Sequence, residues 1–215
     1  PIWAAPAAQL ADAFHRVEAR HPGRLLLGIG TSHPERWGVV AASPYAALVD
    51  YLDELEAAGV PSQRMIVAAL GPRTLRLAAE RTAGAHPFLV PVDHTRDARA
   101  VIGPDALLAV EQRVVLEEDA ERARAIARPT VQTPYLGLSN YRRNLQRLGW
   151  NETDLDDGGS DALIDALVGH GDAEAVAARV RQQLEAGADH VCVQLLDPDE
   201  AGYARIATAL GLTTG

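Results

Sequence analysis

The 215-residue chain has no lysine; all 20 of its basic residues are arginines. That absence excludes Schiff-base chemistry on a lysine amine. It has one cysteine, Cys192, so an intramolecular disulfide and a zinc centre built on several thiolates are both excluded. Cys192 stands inside the apolar run 190–196, where a buried, inert thiol is expected. Aromatic residues make up only 5% of the chain. No apolar run approaches the ~18 residues a membrane span needs. No serine sits in a Gly-x-Ser-x-Gly elbow, so serine-hydrolase chemistry has no support. His94, His170 and His190 stand singly, and no metal site is expected. The acidic stretch 154–158 only loosely resembles a calcium loop and reads as a solvated linker.

Positive charge is also in short supply. The net charge is −9 with no basic stripe, which argues against nucleic acid as a partner. The apolar fraction of 47% and charged fraction of 23% are those of an ordinary globular protein. With neither a signal-peptide pattern nor a membrane span, a cytoplasmic location is expected. Abundant alanine and the exclusive use of arginine suggest a GC-rich, actinobacterial coding genome. The chain begins at Pro1 rather than methionine, which suggests a piece of a longer gene product.

Thirteen prolines and eighteen glycines punctuate the rest. Residues 7–19 carry Leu10, Ala11, Phe14 and Val17 at helical spacing. Residues 24–30 (RLLLGIG) form a continuous apolar run closed by glycines, as in a buried strand. A loop with His33, Pro34, Trp37 and Gly38 leads to Pro44, a helix-start residue, and a helix over 45–58 with Leu48, Leu52 and Leu55 on one face. Residues 65–70 predict a second strand, broken at Gly71-Pro72 and followed by a helix over 73–83. A third strand is expected over 85–90. Helices then follow at 93–101, 119–127, 135–148, 161–168, 173–186 and 200–210. Further strands are expected at 112–116 and 190–196. Strand–helix alternation without hairpins predicts a parallel α/β fold, either a doubly wound sheet or a (β/α)8 barrel. The lack of a Gly-x-Gly-x-x-Gly motif after the first strand argues against a Rossmann unit.

Three segments stand out together: GRLLLGIGTS at 23–32, VAALGPRT at 67–74 and AGAHPF at 83–88. In this order and spacing they resemble the luciferase-like monooxygenase superfamily and within it the actinobacterial branch using the deazaflavin coenzyme F420. They are similar to the family's fourth, fifth and sixth barrel strands. The helices over 119–186 and the strand at 190–196 resemble its long excursion and eighth strand. The resemblance implies a TIM-barrel-like (β/α)8 domain over 1–215, incomplete at its N-terminus, with about five parallel strands present. It implies an oxidoreductase using coenzyme F420, or FMN, for hydride transfer or monooxygenation of a small organic substrate, acting as a homodimer. The alternative is a non-catalytic flavin-binding or subunit-like homologue that pairs with a partner chain, which would cover the edges of an open barrel.

The resemblance also implies a cofactor site. Gly30, Thr31 and Ser32 would face the cofactor, the two hydroxyls donating to a phosphate. Leu70, Gly71 and Pro72 would form the phosphate loop, Gly71 allowing close backbone approach. Arg73 would supply fixed positive charge and Thr74 another hydroxyl. His86 would place a polar group on the cleft floor, and His33 would line the substrate mouth. Each has a plainer reading: a strand-to-helix turn at Gly71-Pro72, a surface ion pair for Arg73, a structural histidine at 86. Glu111 and Arg113 flank the expected strand at 112–116, and Arg113 either points to the cleft or, as the favoured reading, is an ordinary partner of Glu117. No residue stands out as acid, base or nucleophile.

Overall fold

A computed structural model of the chain describes residues 1–32, 43–198 and 200–212. It divides into two compact units, one of Pro1–His86 with Val101–Leu107, the other of Pro87–Ala100 with Leu108–Gly215. Most of the loop carrying His33, Pro34, Trp37 and Gly38 lies outside the described residues.

The first unit alternates helix and strand: α1 (Ala7–Arg20), β1 (Leu27–Ile29), α2 (Pro44–Ala57), β2 (Met65–Val67), α3 (Pro72–Arg81) and β3 (Gly84–Ala85). Helix α1 buries Ala7, Ala11 and Phe14, one face of its 3.6-residue period. Helix α2 starts where the sequence predicts. The Ser43 hydroxyl accepts a hydrogen bond from the Ala46 amide, Pro44 fills the first turn, and Leu48, Leu52 and Leu55 are buried. All three residues of β2 are buried, as a strand covered on both faces requires. The strands are parallel, with Ile29 opposite Val67 and Val67 opposite Ala85. The third strand is shorter than the expected 85–90, because Pro87 cannot extend a ladder.

The second unit holds most of α4 (Val92–Ile102) and of β4 (Leu107–Val115), then α5 (Ala120–Gln132), α6 (Ser139–Arg147), α7 (Glu152–Leu155), α8 (Asp161–Leu167), β5 (Val168–His170), α9 (Ala173–Glu185), β6 (His190–Leu195) and α10 (Glu200–Ala209). A 3-10 turn, Tyr135–Gly137, precedes α6. Strand β4 pairs in parallel with β6 over Ala109–Val114 and with β5 over Arg113–Val115. It begins well before the expected residue 112, because pairing overrides the polar break at Glu111 and Gln112. Strand β5 falls where the sequence reads the end of a helix. Gly169 ends that helical pattern and permits a close pass under α9: a Cβ there would lie 2.9 Å from Cγ of Arg179.

One face of β4 packs on helices. Val114, Val176, Leu195 and Ile206 form a buried apolar cluster. Beside it runs a fully buried polar chain. The Thr95 hydroxyl donates to Oε1 of Gln183 at 2.6 Å, Gln183 Nε2 donates to Oε1 of Gln112 at 2.8 Å, and Gln112 Nε2 donates to the Leu167 carbonyl at 3.1 Å. Buried polar groups stabilise only when satisfied. Gln183→Leu would strip the Thr95 hydroxyl of its acceptor and Oε1 of Gln112 of its donor and is expected to cost about 2 kcal/mol. A urea titration should show a lower midpoint with an unchanged slope; an unshifted midpoint would refute this.

Candidate functional site

In a parallel sheet all strands end at the same edge, so the register fixes what is neighbour to what. After Ile29 come Gly30, Thr31 and Ser32; after Val67 come Ala68 to Gly71; after Ala85 comes His86. The nine residues expected to hold a cofactor therefore follow three adjacent strand ends of the first unit or open the helix behind the middle one. The ends are packed tightly: a Cβ on Gly30 would lie 2.9 Å from that of Ala68. The Ile2 amide donates to the Gly30 carbonyl at 2.9 Å, the Trp3 indole to the Thr31 carbonyl, and the His86 amide to the Val67 carbonyl at 2.8 Å. Ser32 bends the chain with φ of 51°, the left-handed region. The Thr31 hydroxyl reaches the Ser32 carbonyl only at 3.5 Å, a weak local contact.

Helix α3 opens at this edge. Gly71 is its N-cap, Pro72 its first residue, and no side chain caps it. The Leu75 amide bonds to the Gly71 carbonyl at 3.0 Å. The amides of Arg73 and Thr74 belong to the first turn, which by helix geometry lacks intrahelical acceptors. The helix dipole adds partial positive charge at that end. A Cβ on Gly71 would meet no atom of the described residues within 4 Å, so among them open space lies before the turn. The segments 28–32, 67–74 and 84–88 contain no Asp or Glu. Arg73 is exposed, and its guanidinium carbon sits 3.7 Å from the centroid of the Tyr45 ring. This edge has the features of an anion site. A cavity of about 530 Å³ among the described residues of this unit lies elsewhere, lined by residues such as Gln63, Thr82 and Ala106 that precede their strands.

The second unit holds a buried polar cluster on β4 that the sequence did not reveal. Glu111 and Arg113 are 4% and 6% exposed and lie 3.6 Å apart, Oε1 to Nε. Oε2 of Glu111 accepts from the Leu89 amide at 2.8 Å. Arg113 donates to the Thr130 carbonyl at 2.7 Å and to Oε1 of Gln194 at 3.3 Å, with Phe88 and Tyr135 rings about it. The expected Arg113–Glu117 pair does not form. Glu117 instead holds Arg122 and the Asp119 amide, because it lies in the turn that starts α5. Burial pushes the Glu111 carboxyl up, against the opposing pull of the Leu89 amide and Arg113. Cys192 is half-buried rather than buried as expected; that partial burial still raises its thiol, with Glu111 nearby adding to it, so Cys192 is not an activated nucleophile. In the acidic stretch 154–158, Asp154 accepts from the Ser160 hydroxyl at 2.9 Å and Asp156 pairs with Arg142 at 2.9 Å. Those carboxylates serve caps and surface ion pairs.

The family model described as Luciferase-like monooxygenase matches residues 1–190. The chain belongs to that family. Solved structures show how far the luciferase-like fold extends along it. An F420-dependent secondary alcohol dehydrogenase, solved with an F420-acetone adduct, is 13% identical with a TM-score of 0.69, covering 96% of this chain and 76% of its own. The coenzyme F420 dependent tetrahydromethanopterin reductase from Methanopyrus kandleri is 14% identical with a TM-score of 0.65, over 97% and 79% of the two chains. An EDTA monooxygenase from Chelativorans sp. BNC1 is 14% identical with a TM-score of 0.60, over 97% and 72%. No curated protein matches by sequence. At these identities the likeness is one of fold: the parallel α/β fold of the luciferase-like type that the sequence predicts. No helix among the described residues is long and apolar enough to cross a membrane.

Proposed function

We propose that this luciferase-like chain is an oxidoreductase. It holds the phosphate of coenzyme F420, or alternatively FMN, at the edge formed by Gly30–Ser32, Leu70–Thr74 and His86, and acts on a small organic substrate. The observation that carries this reading is the uncapped start of α3, with Arg73 beside it and no carboxylate in the three strand-end segments. The donor set fits a phosphate: two first-turn amides, a guanidinium and the Thr74 hydroxyl. The space before Gly71 lets the group approach the backbone. A bound deazaflavin supplies hydride chemistry, and a flavin adds oxygen activation. The protein's part is to fix the phosphate and so orient the ring.

Titration of the purified chain with F420, FMN and riboflavin, followed by fluorescence, tests the reading. Saturable binding that requires the phosphate is expected, with turnover of a reducible or oxidisable small substrate. Binding without turnover over a broad substrate panel would instead favour a non-catalytic flavin-binding homologue. Failure to bind any of the three would overturn the proposal. Gly71→Ala sharpens the test. Its φ of −85° and the open space that the described residues leave around it mean that alanine fits the fold. The cost in stability should stay within about 1 kcal/mol, as for other N-cap changes. A methyl group at the point of closest approach should nonetheless weaken FMN or F420 binding several-fold, roughly the effect of 1 kcal/mol. Unchanged affinity would place the phosphate elsewhere.

A further inference from the structure

We propose that Tyr45 is a positioning residue for the bound phosphate: its ring holds the Arg73 guanidinium at the open end of α3 without neutralising it. This rests on the reading of that edge as a cofactor site. Two prolines make the arrangement rigid. Tyr45 follows Pro44 in the first turn of α2, and Arg73 follows Pro72 in the first turn of α3. The guanidinium carbon lies 3.7 Å from the ring centroid. Stacking uses the face of the guanidinium and leaves its N–H groups free in the plane, the direction in which a phosphate is bound.

The other end of the same helix pair shows what a plain tether looks like. Arg81, in the last turn of α3, is held to α2 by carboxylates, Asp53 at 2.6 Å and Glu56 at 3.0 Å. At the front end an aromatic ring takes the carboxylate's place. Among the described residues no carboxylate pairs with Arg73. A carboxylate there would tie the two helices as well, but it would cancel the arginine's charge and repel an anion. A ring attracts a guanidinium through its quadrupole and leaves the positive charge in place.

The test measures the ratio of riboflavin to FMN dissociation constants, and the same ratio for F420 and its phosphate-free deazaflavin chromophore. In the wild type the phosphate-bearing form should bind tighter. Arg73→Ala should shrink the ratio about ten-fold. Tyr45→Leu should shrink it roughly three-fold. Tyr45→Phe should restore the wild-type ratio, and Tyr45→Glu should lower it further than leucine does. In the Arg73→Ala background, Tyr45→Leu should change nothing more. A merely structural Tyr45 would alter stability, or affinity for both forms equally, and that result, or no effect at all, overturns the proposal while the cofactor reading stands. A wild type that binds both forms equally well would bring down the cofactor reading and this proposal together.

Discussion

Gly84→Ala is expected to destabilise the protein by about 4 kcal/mol or more, the range reserved for severe steric mechanisms. Gly84 has a φ of +153°, open to glycine and hostile to any L side chain. A Cβ there would lie 1.9 Å from the Leu107 carbonyl oxygen and 2.6 Å from both the carbon and the nitrogen of the same residue. All three are backbone atoms, so no rotamer change relieves the overlap. Shifting the strand away would break the hydrogen bond from the Leu107 amide to the Ala83 carbonyl, 2.8 Å long. It would also disturb the pairing of Ala85 with Val67, and with it the strand end that positions His86. In a chain of this length each kcal/mol moves the melting temperature by roughly 2–4 °C, so a fall of about 8 °C or more is expected. Gly103→Ala separates the two causes. Gly103 also has positive φ, +77°, but no atom of the described residues lies within 4 Å of its Cβ position. It should lose only about 1 kcal/mol, the cost of the backbone conformation. Equal losses at both positions would show that the overlap at Leu107 is relieved.

The parts of the fold that could be read from the chain are those set by local chemistry. Pro44 and the spacing of Leu48, Leu52 and Leu55 specify α2 without help from any other segment, and Gly71-Pro72 marks the start of α3 in the same way. The three strand ends were legible because glycines and prolines punctuate them. What could not be read is what distant residues decide together. Val168–His170 is too short to show the two-residue period of a strand, and the apolar spacing of α8 runs straight into it. The first half of β4 was hidden because Glu111 and Gln112 interrupt its apolar run, although both are buried. Alternation of charged residues normally marks a solvated face, so a buried Glu111–Arg113 pair has no sequence signature. The stack of Arg73 on Tyr45 is equally silent: each residue is an ordinary helix-start residue until the two helices pack.

Glu111 should be a costly polar side chain to remove from the second unit. Its carboxylate accepts the amide of Leu89, a buried bulky residue held at a φ of +51°. Such a conformation persists only when its surroundings over-determine it. Glu111→Leu removes that acceptor and leaves the Arg113 charge buried without its counter-ion, for an expected loss of about 3 kcal/mol. Glu111→Gln keeps an oxygen for Leu89 and should lose less. The two variants also separate charge from hydrogen bonding through pH. Burial, the largest influence, raises the Glu111 pKa above its unfolded value. Arg113, Tyr135, Tyr141 and Cys192 are the titratable groups grouped with it. Below the unfolded pKa, about 4.3, both states carry the proton and the contribution of the neutral acid is fully present. As pH rises through the raised folded pKa, the unfolded chain gives up its proton more readily, and stability is lost. The wild type should therefore lose stability relative to Glu111→Gln as pH climbs from about 4.3 toward neutrality, with no such slope between the Gln and Leu variants. Chemical denaturation at several pH values measures this directly. A flat profile would mean that Glu111 ionises in the fold as readily as in water, and a wild type that gains on Glu111→Gln over that window would mean that the Leu89 amide and Arg113 outweigh burial and that it ionises more readily there.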